Sequence, residues 1–170
     1  MSSALIVQGG WQGHEPGPVS EFLARWLREE GFEVEVADTL DAFCDEEKLK
    51  KLDLLIPIWT MGTIKPEQLK PMLNAVRGGV GIAGLHGGMG DAFRNETEYQ
   101  FMCGGQWVAH PGGIVTYTVN ILQSSSPILD GVTDFEITSE QYYMHVDPVV
   151  DVLATTRFAI NNAVMPVVWT

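Results

Sequence analysis

Apolar positions along the chain change their spacing repeatedly, and the changes mark out its elements. Residues 4–7 (Ala-Leu-Ile-Val) form a short continuous apolar run, the pattern of a strand buried on both faces. After a loop punctuated by glycine and proline (9–18), Val19, Phe22, Leu23, Trp26 and Leu27 recur at helical spacing up to Gly31. Residues 32–37 alternate apolar and acidic side chains, as in a strand with one wet face. The charged stretch 41–51 reads as a short surface helix. A third apolar strand covers 52–59, where Pro57 is tolerable only near an end or an edge. Leu69, Met72, Leu73 and Val76 define the next helix, with Pro66 at its start and Pro71 either kinking it or marking its true beginning. Residues 80–85 (Val-Gly-Ile-Ala-Gly-Leu) read as a further, fully buried strand.

Strand–helix alternation of this kind predicts an α/β fold, doubly wound about a mostly parallel sheet with helices on both faces. Right-handed crossovers then bring the loops holding His14, Trp59 and His86 to one sheet edge, where open α/β sheets bind ligands. The second half differs. Residues 91–102 are polar and read as helix, 104–113 as an irregular loop, and 115–122 and 135–137 as strands. The polar-aromatic segment 139–148 has no assignable period, and 149–154 and 165–169 are strand-like. No repeat or linker interrupts the 170 residues, so the whole chain, 1–170, is read as one domain.

The formal net charge of −12 argues against nucleic acid and anionic membrane surfaces, which both require a basic face. Met1-Ser2-Ser3 runs directly into the first strand without a basic lead, and no apolar run approaches the roughly 20 residues of a membrane span. Cys44 and Cys103 are far apart and have no metal or redox spacing. Free thiols and a cytoplasmic setting are therefore expected. Cys44 lies among acidic residues and Cys103 follows no strand, so neither is expected to act as a nucleophile.

Candidate chemistry centres on Gly84-Leu85-His86-Gly87-Gly88. Glycines on both sides of a post-strand residue suit a sharp strand-to-loop elbow, which would push the His86 imidazole out of the sheet edge. All four histidines (His14, His86, His110 and His145) lie in loop-like segments rather than apolar periodic runs. Three uses compete. Imidazoles with a carboxylate such as Glu140 could hold zinc or a similar divalent metal, although no helix-borne ligand pair such as HExxH occurs. His86 and Glu140 could instead transfer protons to a bound substrate. The plainest use is structural, expected at least for His110 beside Pro111. Trp11, Trp59 and Trp107, with Tyr142 and Tyr143, could stack on sugar rings or simply close the core rim. Phosphate binding is not expected, since no Lys or Arg accompanies the post-strand glycines and no GxGxxG occurs.

Three segments are more specific: GLHGGMGDAFRNETEYQFMCGGQWVAHPGG (84–113), SEQYYMHVDP (139–148) and the final MPVVWT. With looser matches at 8–15 and 59–62, they make the chain resemble the trehalose-utilisation (ThuA-like) family essentially end to end. The resemblance implies the flavodoxin-like fold of the class I glutamine amidotransferase-like superfamily. It also implies a part in the catabolism of trehalose or related disaccharides and glycosides, including 3-keto sugars. In amidotransferase relatives the elbow carries a cysteine. Here it carries His86, so glutamine hydrolysis through a thioester is not open to this chain. Family members continue beyond the MPVVWT-like strand into a hairpin and a closing helix. The chain is therefore expected to lack these and to expose a sheet edge that favours a homodimer.

The leading expectation is an enzyme acting on a small-molecule sugar. His86 would be its general acid/base, Glu140 the carboxylate partner, and His14 an orienter or metal ligand. Substrate contacts are expected from Trp11, Trp59, Gly87, Gly88, His110, Tyr142, Tyr143 and His145. Two alternatives stand beside it: a non-catalytic sugar-binding domain, and a metal-dependent hydrolase with His14 and His86 as ligands of a metal such as zinc. No other cofactor is expected.

Overall fold

A computed structural model describes residues 2–170; the reading of the N-terminal segment at Met1 lies outside the described residues. The chain divides into two compact units, Met1–Cys103 and Gly104–Thr170, each taken here by itself.

The first unit alternates strand and helix, in the order β1 (Ser3–Gly10), α1 (Pro16–Glu29), β2 (Glu33–Ala37), α2 (Glu46–Leu49), β3 (Leu54–Thr60), α3 (Pro66–Arg77), β4 (Gly81–Ile82), α4 (Gly87–Gly90) and α5 (Thr97–Cys103). The four strands are parallel, in the order β2-β1-β3-β4. Side chains alternate across a strand, and the central strands bury both sets. Ala4 and Ile6 pack with Ala24 and Leu27 of α1, whereas Leu5 and Val7 share a core with Leu69, Met72 and Leu73 of α3 and Tyr99 of α5. Each such side chain contributes about 1.5–3 kcal/mol by leaving water. Glu33 and Glu35 of β2 are exposed, as the apolar–acidic alternation requires, and Glu35 pairs with Lys48 at 2.7 Å.

Two local expectations need correction. The run 80–85 is not a buried strand: only Gly81 and Ile82 pair with β3, Ala83 and Gly84 are exposed, and Leu85 is 45% exposed. As the last strand of its sheet β4 has one neighbour, and its glycines offer little side chain to cover. Pro57, in turn, sits in the interior strand β3 rather than at an end or edge. Ala83 N–H donates to Leu55 C=O (3.0 Å), so the odd-numbered residues of β3 turn their backbone toward β4. Beyond residue 55 that side has no partner strand, and the N–H that Pro57 lacks is not needed. Pro71 lies inside α3, which begins at Pro66.

The second unit contains β5 (Gly105–Ala109), β6 (Ile114–Ile121), β7 (Phe135–Glu140), β8 (Tyr143–Val146), β9 (Val152–Arg157) and β10 (Val164–Trp169). Its strands are antiparallel, in a four-stranded sheet β10-β9-β6-β7 and a two-stranded ribbon β5-β8. The parallel arrangement expected of the sheet is thus confined to the first unit. The ribbon corrects two further expectations. Residues 105–109 are strand rather than irregular loop, and the unassigned segment 139–148 supplies their partner. Neither piece has a clear period, because Met144, Trp107 and Tyr143 pack on Phe158 and Met165 from an irregular, bulged pairing. The long polar helix expected over 91–102 is shortened to α5.

No helix among the described residues is long and apolar enough to cross a membrane. Neither cysteine forms a disulfide among the described residues; Cys44 is exposed and Cys103 buried. Burial pushes the Cys103 thiol up to about 12. The native protein is therefore expected to titrate one thiol per chain with a disulfide reagent at pH 8, and two after unfolding; two fast-reacting thiols in the native state would contradict this burial.

Candidate functional site

The site grows from the carboxyl ends of β1, β3 and β4. After β4 the chain turns sharply at His86, whose φ of 54° and ψ of −141° lie outside the regions an L-residue adopts readily. The glycines around it leave close approaches that a side chain would crowd. A Cβ on Gly84 would lie 2.5 Å from Met89 Cβ, one on Gly87 2.7 Å from His14 Cε1, and one on Gly88 3.1 Å from Ile58 Cα in β3. The elbow is thus pressed against the sheet, and α4 starts directly after His86.

His14 arrives from the other side. β1 ends at Gly10, where a Cβ would meet Thr60 C=O at 2.2 Å; Trp11 N–H donates to that same carbonyl at 3.1 Å. A single 3-10 turn, Gln12–His14, then carries the imidazole back over the sheet, and Glu15, at φ 49°, redirects the chain into α1. His14 Nδ1 lies 2.9 Å from Thr60 Oγ1. This contact fixes the ring, so Nε2 is the atom through which His14 can act. The rings of His14 and His86 meet edge to face, with centroids 4.5 Å apart, and the half-exposed Trp11 ring packs on His14 at 4.6 Å. Beneath lies a cleft of about 210 Å³ bordered by Gly13, His14, Glu15, Ile58, Thr60 and His86. This is smaller than the roughly 300–1,000 Å³ of pockets for drug-sized ligands and suits a single ring. Among the described residues neither lysine nor arginine borders it.

The structure therefore brings together His14, His86, Gly87, Gly88 and Trp11. It places Trp59 elsewhere: its ring packs on Gly9 and Phe93 at the first core, and its indole N–H is buried without a hydrogen-bond partner among the described residues. Thr60 was not singled out from the sequence, although a hydroxyl at the carboxyl end of a buried strand is the available signal. Also missed was the elbow's brace. Buried Asp91 receives a two-pronged contact from Arg94 (2.9 Å for one prong), and its carbonyl accepts from Met61 N–H at 2.9 Å.

The other expected residues belong to the second unit. Glu140 ends β7, and its carboxylate lies 3.5 Å from His110 Nε2. Tyr142 stacks on His110, Tyr143 packs edge-on against Phe158, and His145 is exposed on β8 opposite Gln106.

The fold is similar to that of a glutamine amidotransferase. A Thermotoga maritima glutamine amidotransferase structure aligns with 96% of this chain and 69% of its own at 11% identity and a TM-score of 0.59. The sequence profile described as "ThuA: Trehalose utilisation" matches residues 3–170, and the chain belongs to that family. Crystal structures of ThuA-like proteins agree in fold. One from Parabacteroides merdae has a TM-score of 0.79 and one from Bacteroides uniformis 0.76. Each is 18% identical over 99% of this chain, and over 74% and 77% of its own, respectively. A search of the curated proteins returned no match.

Proposed function

We propose that the chain is an enzyme of trehalose or related disaccharide catabolism in which His86 moves a proton at a bound sugar or keto-sugar. One observation carries this reading. An imidazole is held in an unfavourable backbone conformation at the mouth of a cleft, against a second imidazole fixed by Thr60. Strain of this kind, about 1–3 kcal/mol, persists where a side chain must be presented in one direction. Imidazole exchanges protons near neutral pH, which suits general acid/base work at a hydroxyl or at a carbon beside a carbonyl. His14 orients His86 or the substrate, and Trp11 offers an apolar face to a sugar ring. Family membership supports the substrate class. The scaffold is read as doubly wound and flavodoxin-like from the strand order β2-β1-β3-β4 and the helices on both faces of that sheet. A cytoplasmic setting accords with two thiols outside any disulfide among the described residues.

The test is turnover of trehalose and of its 3-keto derivative by the purified protein. Product formation that requires His86 is expected; saturable binding with no product over long incubation would reassign the chain as a sugar-binding module. A second reading has its own support: His14 and His86 each bring a ring nitrogen within 4.8 Å of the other's, close enough to share a divalent ion. On that reading protein purified without chelator carries about one zinc-like ion per chain, and H14A loses it.

A further inference from the structure

One peptide unit at the end of β3 holds both loops of the first unit's site. Its carbonyl, that of Thr60, accepts from Trp11 N–H at 3.1 Å and so fixes the start of the turn that carries His14; the Thr60 hydroxyl meets the His14 ring. Its N–H, that of Met61, donates at 2.9 Å to Asp91 C=O, at the far end of the turn that begins with His86. Phe93 N–H returns to Met61 C=O at 3.3 Å, so Met61 makes a one-residue parallel bridge with Ala92. Met61 lies at φ 60° and Phe93 at φ 47°, conformations that a non-glycine residue keeps only where its surroundings impose them.

The elbow depends on that far attachment. α4 is one turn in which three of four residues are glycine, too short and too weak in helix propensity to hold a direction by itself. Gly90 N–H and Asp91 N–H donate back to His86 C=O (3.0 Å) and Gly87 C=O (3.3 Å). A shift of Asp91 is therefore passed to His86 within one turn. Asp91 is 3% exposed, and a buried carboxylate needs a partner. Arg94 supplies it: Nε and Nη2 donate to the two carboxylate oxygens, Nη2 at 2.9 Å. Such a fork fixes direction as well as distance. Beyond it, Phe93 is buried edge-on against Tyr99, and Gln100 Nε2 donates to Arg94 C=O, which anchors the segment on α5.

We propose that Asp91 and Arg94 are positioning residues: their ion pair holds the Asp91 carbonyl on the Thr60–Met61 peptide, and so keeps the His86 elbow and the His14 turn at one spacing. This rests on the preceding assignment of proton transfer to His86. Neither residue borders the cleft, so their loss acts on rate more than on substrate affinity.

The experiment uses the full chain and two replacements of Arg94, whose side chain is 42% exposed and can change without opening the core. R94M removes both prongs. It is expected to lower kcat on the 3-keto derivative of trehalose about 10- to 100-fold, with KM changed less than about threefold. R94K keeps the charge without the fork and should show the same pattern with a smaller loss. Amide hydrogen exchange reads the clamp without substrate. In R94M the Met61 and Trp11 amides should accelerate about tenfold more than those of Ile6 and Val7 within β1, whereas a merely structural role would move all four alike. Wild-type kcat in both variants, a loss carried by KM alone, or equal acceleration at the four amides would overturn the proposal. If the wild-type protein turns over neither sugar, the functional reading fails by itself. Faster exchange confined to Met61 and Trp11 would then uphold the clamp, and its absence would overturn it.

Discussion

Replacing His86 with glycine is expected to abolish turnover while raising the melting temperature. The two effects share one origin. At φ 54° and ψ −141° the histidine stores about 1–3 kcal/mol of backbone strain that glycine does not feel. Glycine returns about 0.5–1 kcal/mol of this through the freedom it adds to the unfolded chain. His86 is exposed, and its edge-to-face contact with His14 is what the substitution gives up. The net gain is about 1 kcal/mol, worth a few degrees for a protein of this size. Loss of the proton-transferring group lowers kcat by about 10²–10⁴. H86A is the informative companion, because alanine keeps the strain: it should be equally inactive but without the gain in stability. Thermal melts beside initial rates check both halves. An H86G protein that melts lower than wild type, or that keeps its rate, would contradict the elbow as described.

Gly87→Ala should separate positioning from folding at the same place. The new methyl would lie 2.7 Å from His14 Cε1, 2.8 Å from its Nδ1 and 3.0 Å from Thr60 Cγ2, so the imidazole must move and its 2.9 Å contact with Thr60 Oγ1 must break. A displacement near 1 Å at a reacting group costs about 10²-fold in rate. Stability should fall by only about 1–2 kcal/mol, because the overpacking is partly offset by alanine's preference for a helical position. Gly17→Ala, in α1 with no atom within 4 Å of the added carbon, is the control. It should leave the rate unchanged and stabilise slightly. A G87A enzyme with full activity would mean that His14 need not stand where it does.

These positions also show what the sequence reveals and what it conceals. The alternation of apolar runs and helical stripes to residue 77 identifies β1, α1, β2, β3 and α3, although the buried face of α1 is carried by Ser20, Ala24 and Leu27 while Phe22 and Trp26 of the apolar stripe stay exposed. The glycines around His86 mark the elbow, because only an unusual turn needs them at that spacing. The extent of β4 was hidden: an apolar run of small residues reads as buried whether or not anything covers it, and Leu85 is not covered. Pro57 misled for a related reason, since its tolerance depends on how far β4 runs, a fact of pairing rather than of local pattern. Trp59 reads as a binding residue from its place at a strand end, but the open face of Gly9 draws the ring inward. In the second unit β5 and β8 have too little alternation to be seen alone, and the Trp107–His110–Tyr142 stack exists only once the two strands pair. Resemblance to ThuA-like proteins pointed to the family that the profile match over residues 3–170 establishes. It could not say which atoms do the chemistry.

The most direct test is a crystal of the wild-type protein soaked with trehalose or its 3-keto derivative. The account places a sugar ring in the cleft of the first unit, with a hydroxyl or carbonyl oxygen within hydrogen-bond distance of the His86 imidazole and the ring against His14 and Trp11. Sugar density confined to other surfaces, with that cleft filled only by water at saturating ligand, would contradict it.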